Sequence, residues 1–178
     1  MNIIIVGGGT SGWLTASTLL FKTHPKNNIN ITLIESKDIP IIGVGESVTG
    51  RMRDTILNHY HLGDEKEFFK ETGSTFKYGI KHIDWYKKGD DFLSPIGSDF
   101  INETSFPTED YDVVRIYHVA EKLKYLDPVQ NQLMIHDKVY NEEDENNQID
   151  CAYHIDGITT SKYLRKKCLA TNRINRIE

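Results

Sequence analysis

The sequence predicts an α/β fold of the Rossmann-like, dinucleotide-binding kind. Three observations predict it: a β-branched run at Ile3–Val6, a glycine-rich turn immediately after it, and a second apolar run that ends in an acid, Glu35. The chain has 178 residues, 38% of them hydrophobic, which is enough for one packed domain. Its 21 basic against 26 acidic residues give a formal charge of −5, and the charges are spread rather than clustered. That balance offers nucleic acid no basic footprint.

Ile3-Ile4-Ile5-Val6 is a short continuous apolar run, the pattern of a strand buried on both faces of a parallel sheet. Gly7-Gly8-Gly9-Thr10-Ser11-Gly12 satisfies G-x-G-x-x-G. Trp13 to Phe21 then reads as a helix, with Trp13, Ala16, Ser17 and Leu20 on one apolar or small face. The run Ile29–Ile34 supplies the second strand and places Glu35 at its end. The chemistry explains the spacing. Gly7 allows the tight turn, Gly9 lets backbone approach a pyrophosphate, Gly12 lets the helix pack close to the sheet, and the helix start presents free N–H groups to phosphate. Glu35 is placed to accept hydrogen bonds from ribose hydroxyls and disfavours a 2′-phosphate, so FAD or NAD is expected before NADP. This unit alone does not separate FAD from NAD. Gly7, Gly8, Gly9, Ser11, Gly12, Glu35 and Ser36 are the expected contacts to the cofactor's adenosine and pyrophosphate.

Ser36 to Gly50 reads as a mostly apolar loop in which Gly43 and Gly45 free the backbone for close approach, followed by a helix from about Arg51 to Tyr60. Thr75 to Trp85 alternates as one half-buried strand, with Phe76, Tyr78, Ile80 and His82 on one side and Lys77, Gly79, Lys81 and Ile83 on the other. Three segments in order carry a resemblance: Gly7–Trp13, Asp38-Ile39-Pro40 with Gly43-Val44-Gly45-Glu46, and Phe76-Lys77 leading to Ile80-Lys81 and Asp84-Trp85. Together they resemble the flavin-dependent tryptophan-halogenase family, and the likeness extends more thinly to Ala152-Tyr153-His154-Ile155-Asp156.

The resemblance implies a glutathione-reductase-type FAD-binding fold with an irregular inserted region on the substrate side. It implies an oxidoreductase in which reduced FAD, delivered by a separate flavin reductase, reacts with oxygen and halide. The resulting hypohalous acid travels to a lysine and then to an electron-rich, small aromatic substrate. Lys77 matches that lysine. A strand lysine is ordinarily solvated, and catalysis would require Lys77 to be desolvated or held by its neighbours. Lys81 is the nearby alternative and is expected to be exposed. The loop resembles the family's flavin strap, so Ile39, Ile42, Val44, Gly45, Glu46 and Ser47 are carried over as cofactor contacts. Two departures bear on the substrate: Val48-Thr49-Gly50 replaces an Ile-Pro pair, and Ser94-Pro95-Ile96-Gly97 stands where relatives carry His-Pro-Phe-Gly. Two other readings stay open: an FAD monooxygenase that does not halogenate, and a flavin-binding fragment that catalyses nothing.

By this reading residues 1–50 hold the dinucleotide-binding unit and flavin loop. Residues 51–150 hold helices, the lysine-bearing strand and an insertion, and residues 151–178 return to the FAD domain. Trp85 to Asp112 reads as a long polar excursion, Val113–Leu126 as a core helix, and 141–148 as a solvated acidic loop rather than a metal site. His154 is expected to be structural. Thr159 or Thr160 is expected to cap a helix over Ser161–Ala170, with Tyr163, Leu164, Cys168 and Leu169 inward and Arg165, Lys166 and Lys167 mostly outward. Cys151 and Cys168 lack disulfide or zinc-ligand spacing and read as reduced thiols. With no bilayer-length apolar run and no basic leader before Ile3, the cytoplasm is the expected compartment and a membrane is not an expected partner. Ile174–Glu178 looks like the opening of a further strand. Set against the resembled family, the 178 residues therefore read as the N-terminal part of a longer flavoenzyme.

Overall fold

Apolar runs from the two ends of the chain meet in one parallel sheet. The computed structural model describes residues 1–27, 29–43, 45–85, 87–96, 129–139 and 149–178. In chain order the elements are β1 (Asn2–Val6), α1 (Thr10–Lys22), β2 (Asn30–Ile34), β3 (Glu46–Ser47), α2 (Gly50–Asn58), a 3-10 turn (Tyr60–Leu62), α3 (Glu65–Thr72), β4 (Thr75–Lys77), β5 (Gly79–His82), β6 (Phe92–Pro95), α4 (Val129–Ile135), β7 (Ala152–Ile155), α5 (Gly157–Ala170) and β8 (Ile174–Ile177). They form two units, Met1–Thr75 with Tyr153–Glu178, and Phe76–Ala152.

In the first unit the strand order is β1-β2-β8. Register runs from Ile3 opposite Ile31 to Val6 opposite Ile34, and from Ile31 opposite Ile174 to Ile34 opposite Ile177, all parallel. The expected strand at Ile174 thus forms and pairs beside β2. Helix α1 buries Trp13, Ala16, Ser17 and Leu20, the face that the spacing indicates. Helix α5 buries Thr160, Ser161, Tyr163, Leu164 and Cys168. Small residues on both helices allow close approach, and each fully buried leucine contributes about 2 kcal/mol by removal from water. Both cysteines are free and buried, and burial pushes the Cys168 thiol up to about 12, which leaves it protonated and inert.

Four expectations are corrected here. The first strand is not buried on both faces: Ile3 and Ile5 are half-buried, whereas Ile4 is 65% and Val6 81% exposed. The run alternates half-buried and exposed residues, so one side of the strand is left open. The helix expected to reach Tyr60 stops at Asn58, and Tyr60–Leu62 tightens into the 3-10 turn. There the His59 ring stacks on Phe21 at 4.4 Å and Leu62 is fully buried, so tertiary packing ends the helix. Helix α5 begins at Gly157, earlier than expected, and its cap is Asp156, whose carboxylate accepts from Thr159 N–H at 2.7 Å. Lys167 is not outward-facing: it is half-buried, pairs with Glu67 Oε2 at 2.6 Å and lies over the Tyr163 ring.

The expected single strand from Thr75 is two strands broken at Tyr78. That residue leaves the ladder to bury its ring, and its carbonyl accepts from Ile96 N–H at 2.7 Å. Strand β5 pairs antiparallel with β6, from Gly79 opposite Pro95 to His82 opposite Phe92, so the predicted excursion after Trp85 contains a strand. The glycine at 79 is needed because a Cβ there would lie 2.5 Å from the Ser94 carbonyl oxygen and 2.6 Å from Met134 Cε. Pro95 cannot donate to a further strand, which suits the end of an edge. Val44, Gly97, the helix expected over Val113–Leu126 and the acidic loop at 141–148 lie outside the described residues.

Candidate functional site

The chain turns out of β1 through Gly7, whose φ of 114° is accessible to glycine and strained for other residues. Its N–H donates to the Ile34 carbonyl at 2.8 Å, which ties the turn to the end of β2. Gly12 packs against that turn, and a Cβ on it would sit 1.9 Å from the Gly7 carbonyl oxygen. Gly9 opens onto free space, with nothing within 4 Å of an added Cβ. No side chain caps α1 and no acid occupies its first turn, so the partial positive charge of its N-terminus is left for a ligand.

Around this turn lies a cleft of about 880 Å³, lined by Val6, Gly7, Gly8, Gly9, Ile34, Glu35, Ser36, Lys37, Ile39, Pro40, Ile41, Ile42, Arg165, Arg176 and Glu178. Its size and mixed lining suit a small-molecule ligand. Glu35 anchors its ion pairs. Oε2 accepts from the Trp13 indole Nε1 at 3.4 Å, while Oε1 accepts from Arg165 Nη1 at 3.4 Å and from Arg176 Nε. Burial opposes ionisation of Glu35, but the Arg176 bond and charge, aided by Trp13 and Arg165, outweigh it and hold the carboxyl below its ordinary value. Conversely, the Glu35 bond raises the Arg176 guanidinium above its usual value.

The residues nominated from sequence do not all converge. Gly7, Gly8, Gly9, Glu35, Ser36, Ile39 and Ile42 share the cleft. Ser11 is exposed, with its carbonyl accepting from Thr15 Oγ1 at 2.8 Å, and Gly12 supports the turn from behind. Gly45, Glu46 and Ser47 line a separate pocket of about 400 Å³ with Gly73, Thr75, His154 and Ile155. Strand β3 is held there by antiparallel pairing, Glu46 opposite Ile155 and Ser47 opposite His154. The strap also meets the start of α5, where Gly43 faces Ile158 and Glu46 faces Gly157. His154, expected to be structural, is exposed on β7. Lys77 is half-buried on β4 in the second unit, and Lys81 is exposed with its Nζ 3.5 Å from Asp91 Oδ2.

Sequence reasoning missed Lys37, Arg165, Arg176 and Glu178 as cleft residues. Signals for the arginines existed. Arg165 follows the buried Ser161 by four positions and precedes the buried Cys168 by three, so it flanks the inward face of α5. Arg176 stands two positions after Ile174 and shares its side of β8, next to the end of β2. Among the described residues no group of three or more His, Cys, Asp or Glu could hold a metal, and no helix is long and apolar enough to cross a membrane.

The family model described as tryptophan halogenase matches residues 2–178. The tryptophan 7-halogenase RebH of Lentzea aerocolonigenes is 35% identical over 89 residues, 50% of this chain and 16% of that protein. The tryptophan 6-halogenase ThaL of Streptomyces albogriseolus is 31% identical over 94 residues, 53% and 17% respectively. Among solved structures, BrvH, a flavin-dependent halogenase from Brevundimonas sp. BAL3, superposes with a TM-score of 0.68 at 24% identity, covering 99% of this chain and 35% of that one. The chain thus spans about a third of that solved structure, and the aligned segments span about a sixth of the curated relatives.

Proposed function

The chain belongs to the tryptophan halogenase family, a family of flavin-dependent halogenases, and from that premise we propose that its cleft binds the adenosine and pyrophosphate half of FAD in the service of halogenation. The observation that carries the reading is the meeting of the open glycine turn, Glu35 and the strap residues Ile39 and Ile42 in one cleft. The residues fit the group: Gly9 opens onto free space beside the turn, the uncapped α1 start suits a diphosphate, and an ionised Glu35 suits ribose hydroxyls.

When bound, reduced FAD would supply the oxygen-activating chemistry that turns halide into an electrophile. The chain's own residues have separate tasks. Gly7, Gly8 and Gly9 bring backbone to the diphosphate, Glu35 orients the ribose, and Ile39 and Ile42 shield the cofactor from water. Gly45, Glu46 and Ser47, fastened to β7, hold the far end of the strap. Lys77 is the residue proposed to receive hypohalous acid through its Nζ, by hydrogen bond or as a haloamine, and to deliver it to an electron-rich aromatic ring. A separate flavin reductase would supply the reduced cofactor.

The test supplies the chain with FAD, a flavin reductase, NADH, oxygen and bromide in the presence of an indole probe, and follows brominated product by mass. The expected result is bromination that Lys77→Ala abolishes while FAD binding persists. Flavin binding with no brominated product would contradict the catalytic part of the proposal, and equal product from Lys77→Ala would contradict the role of Lys77.

A further inference from the structure

Glu35 is more heavily engaged than a ribose-binding carboxylate needs to be. An ionised carboxylate offers about four lone-pair directions. Two are taken at Oε1, by the guanidiniums of Arg165 and Arg176, and one at Oε2, by the Trp13 indole. That leaves one acceptor direction, on Oε2, and Oε2 is the oxygen that overhangs the glycine turn: a Cβ added to Gly8 would lie 1.6 Å from it. The two arginines come from different elements, α5 and β8, and Arg176 is itself braced by Glu178 through Nη2. Only 10% of the Glu35 side chain is exposed, so water contributes little to holding it.

Resting on the cofactor-site reading above, we propose that Arg176 and Arg165 are positioning residues for the adenosine end: they tether Oε1 so that the free acceptor of Oε2 meets a ribose hydroxyl at the glycine turn. Neither arginine is needed to touch the ligand. Their effect is to remove the rotational freedom that Glu35 would otherwise lose on binding, and to keep it in the accepting, ionised form. Arginine suits the task because the rigid guanidinium of Arg176 presents Nε to Glu35 and Nη2 to Glu178 at once, which a lysine point charge does not.

The test titrates ADP and 2′,3′-dideoxy-ADP into the wild-type chain and into Arg176→Gln, Arg176→Lys and Arg165→Gln by calorimetry, with circular dichroism to confirm folding. A bond to a charged group makes a loss of about tenfold in ADP affinity the expected result for Arg176→Gln. Affinity for dideoxy-ADP, which lacks the hydroxyls, should change by less than about twofold. Arg176→Lys should fall between wild type and Arg176→Gln, and Arg165→Gln should show the same ligand dependence more weakly. Equal losses for the two ligands, or no loss in either arginine variant, would overturn the proposal while leaving the cofactor site standing. Failure of the wild-type chain to bind ADP at all would overturn the cofactor-site reading, and the positioning role with it.

Discussion

A Cβ placed on Gly8 would lie 1.6 Å from Oε2 of Glu35 and 2.5 Å from its Cβ. The first overlap could be relieved by rotating the carboxylate, but the second involves the root of the side chain, fixed by β2. Gly8→Ala must therefore expel Glu35 from its seat between Trp13, Arg165 and Arg176. We expect adenine-nucleotide affinity to fall by about tenfold or more, with a smaller effect on stability. Parallel ADP calorimetry and urea unfolding check this.

Gly12 meets backbone rather than side chain. Its added Cβ would approach the Gly7 carbonyl oxygen to 1.9 Å, and neither atom can rotate away. Gly12→Ala is expected to cost about 1–3 kcal/mol, as overpacking does in a tight core, read as a lower urea midpoint together with lost nucleotide binding. An unchanged midpoint would show that the helix can lift from the turn at no cost.

Ser17 Oγ lies 2.9 Å from both His59 Nδ1 and His61 Nε2. A hydroxyl carries one proton, so at most one imidazole accepts from Ser17 and at least one donates to it. Burial, then the charges of His59 and Arg173, hold His61 down to about 4, and burial with the Lys22 charge lowers His59 as well. Folded His61 thus stays neutral where the unfolded imidazole, near 6.5, takes up a proton. Its contribution is intact above pH 6.5 and declines as pH falls from there toward 4. His61→Gln should flatten that decline in thermal melts recorded between pH 7 and 4.5.

Asp156 caps α5 with a carboxylate that accepts from Thr159 N–H, and that bond, first of all, lowers its pKa. Asparagine can make the same bond and alanine cannot. Asp156→Ala is expected to lower Tm and Asp156→Asn to retain most of it. Because the folded pKa is lowered, the charged cap stabilises above its unfolded value near 3.8 and is lost on acidification through the folded one.

Local pattern made the nucleotide-binding unit legible. The face Trp13, Ala16, Ser17 and Leu20 is buried as its spacing indicates, and the strands at Ile29–Ile34 and Ile174–Glu178 form. What stayed hidden was long-range. Arg165 and Arg176 reach Glu35 across 130 and 141 positions of sequence, a convergence no local periodicity encodes. The break at Tyr78 and the helix stop before His59 likewise fall where a ring becomes buried. Thr159 resembled a cap because it stands near the helix start, yet its backbone N–H is the donor and Asp156 the acceptor.

The most direct measurement is titration of the chain with FAD, following flavin fluorescence and tryptophan emission, to which Trp13, whose indole bonds Glu35 in the cleft, contributes. Expected is saturable one-to-one binding that ADP displaces and Gly8→Ala weakens. A flat titration, or binding indifferent to both ADP and Gly8→Ala, would contradict the assignment of this cleft to the cofactor.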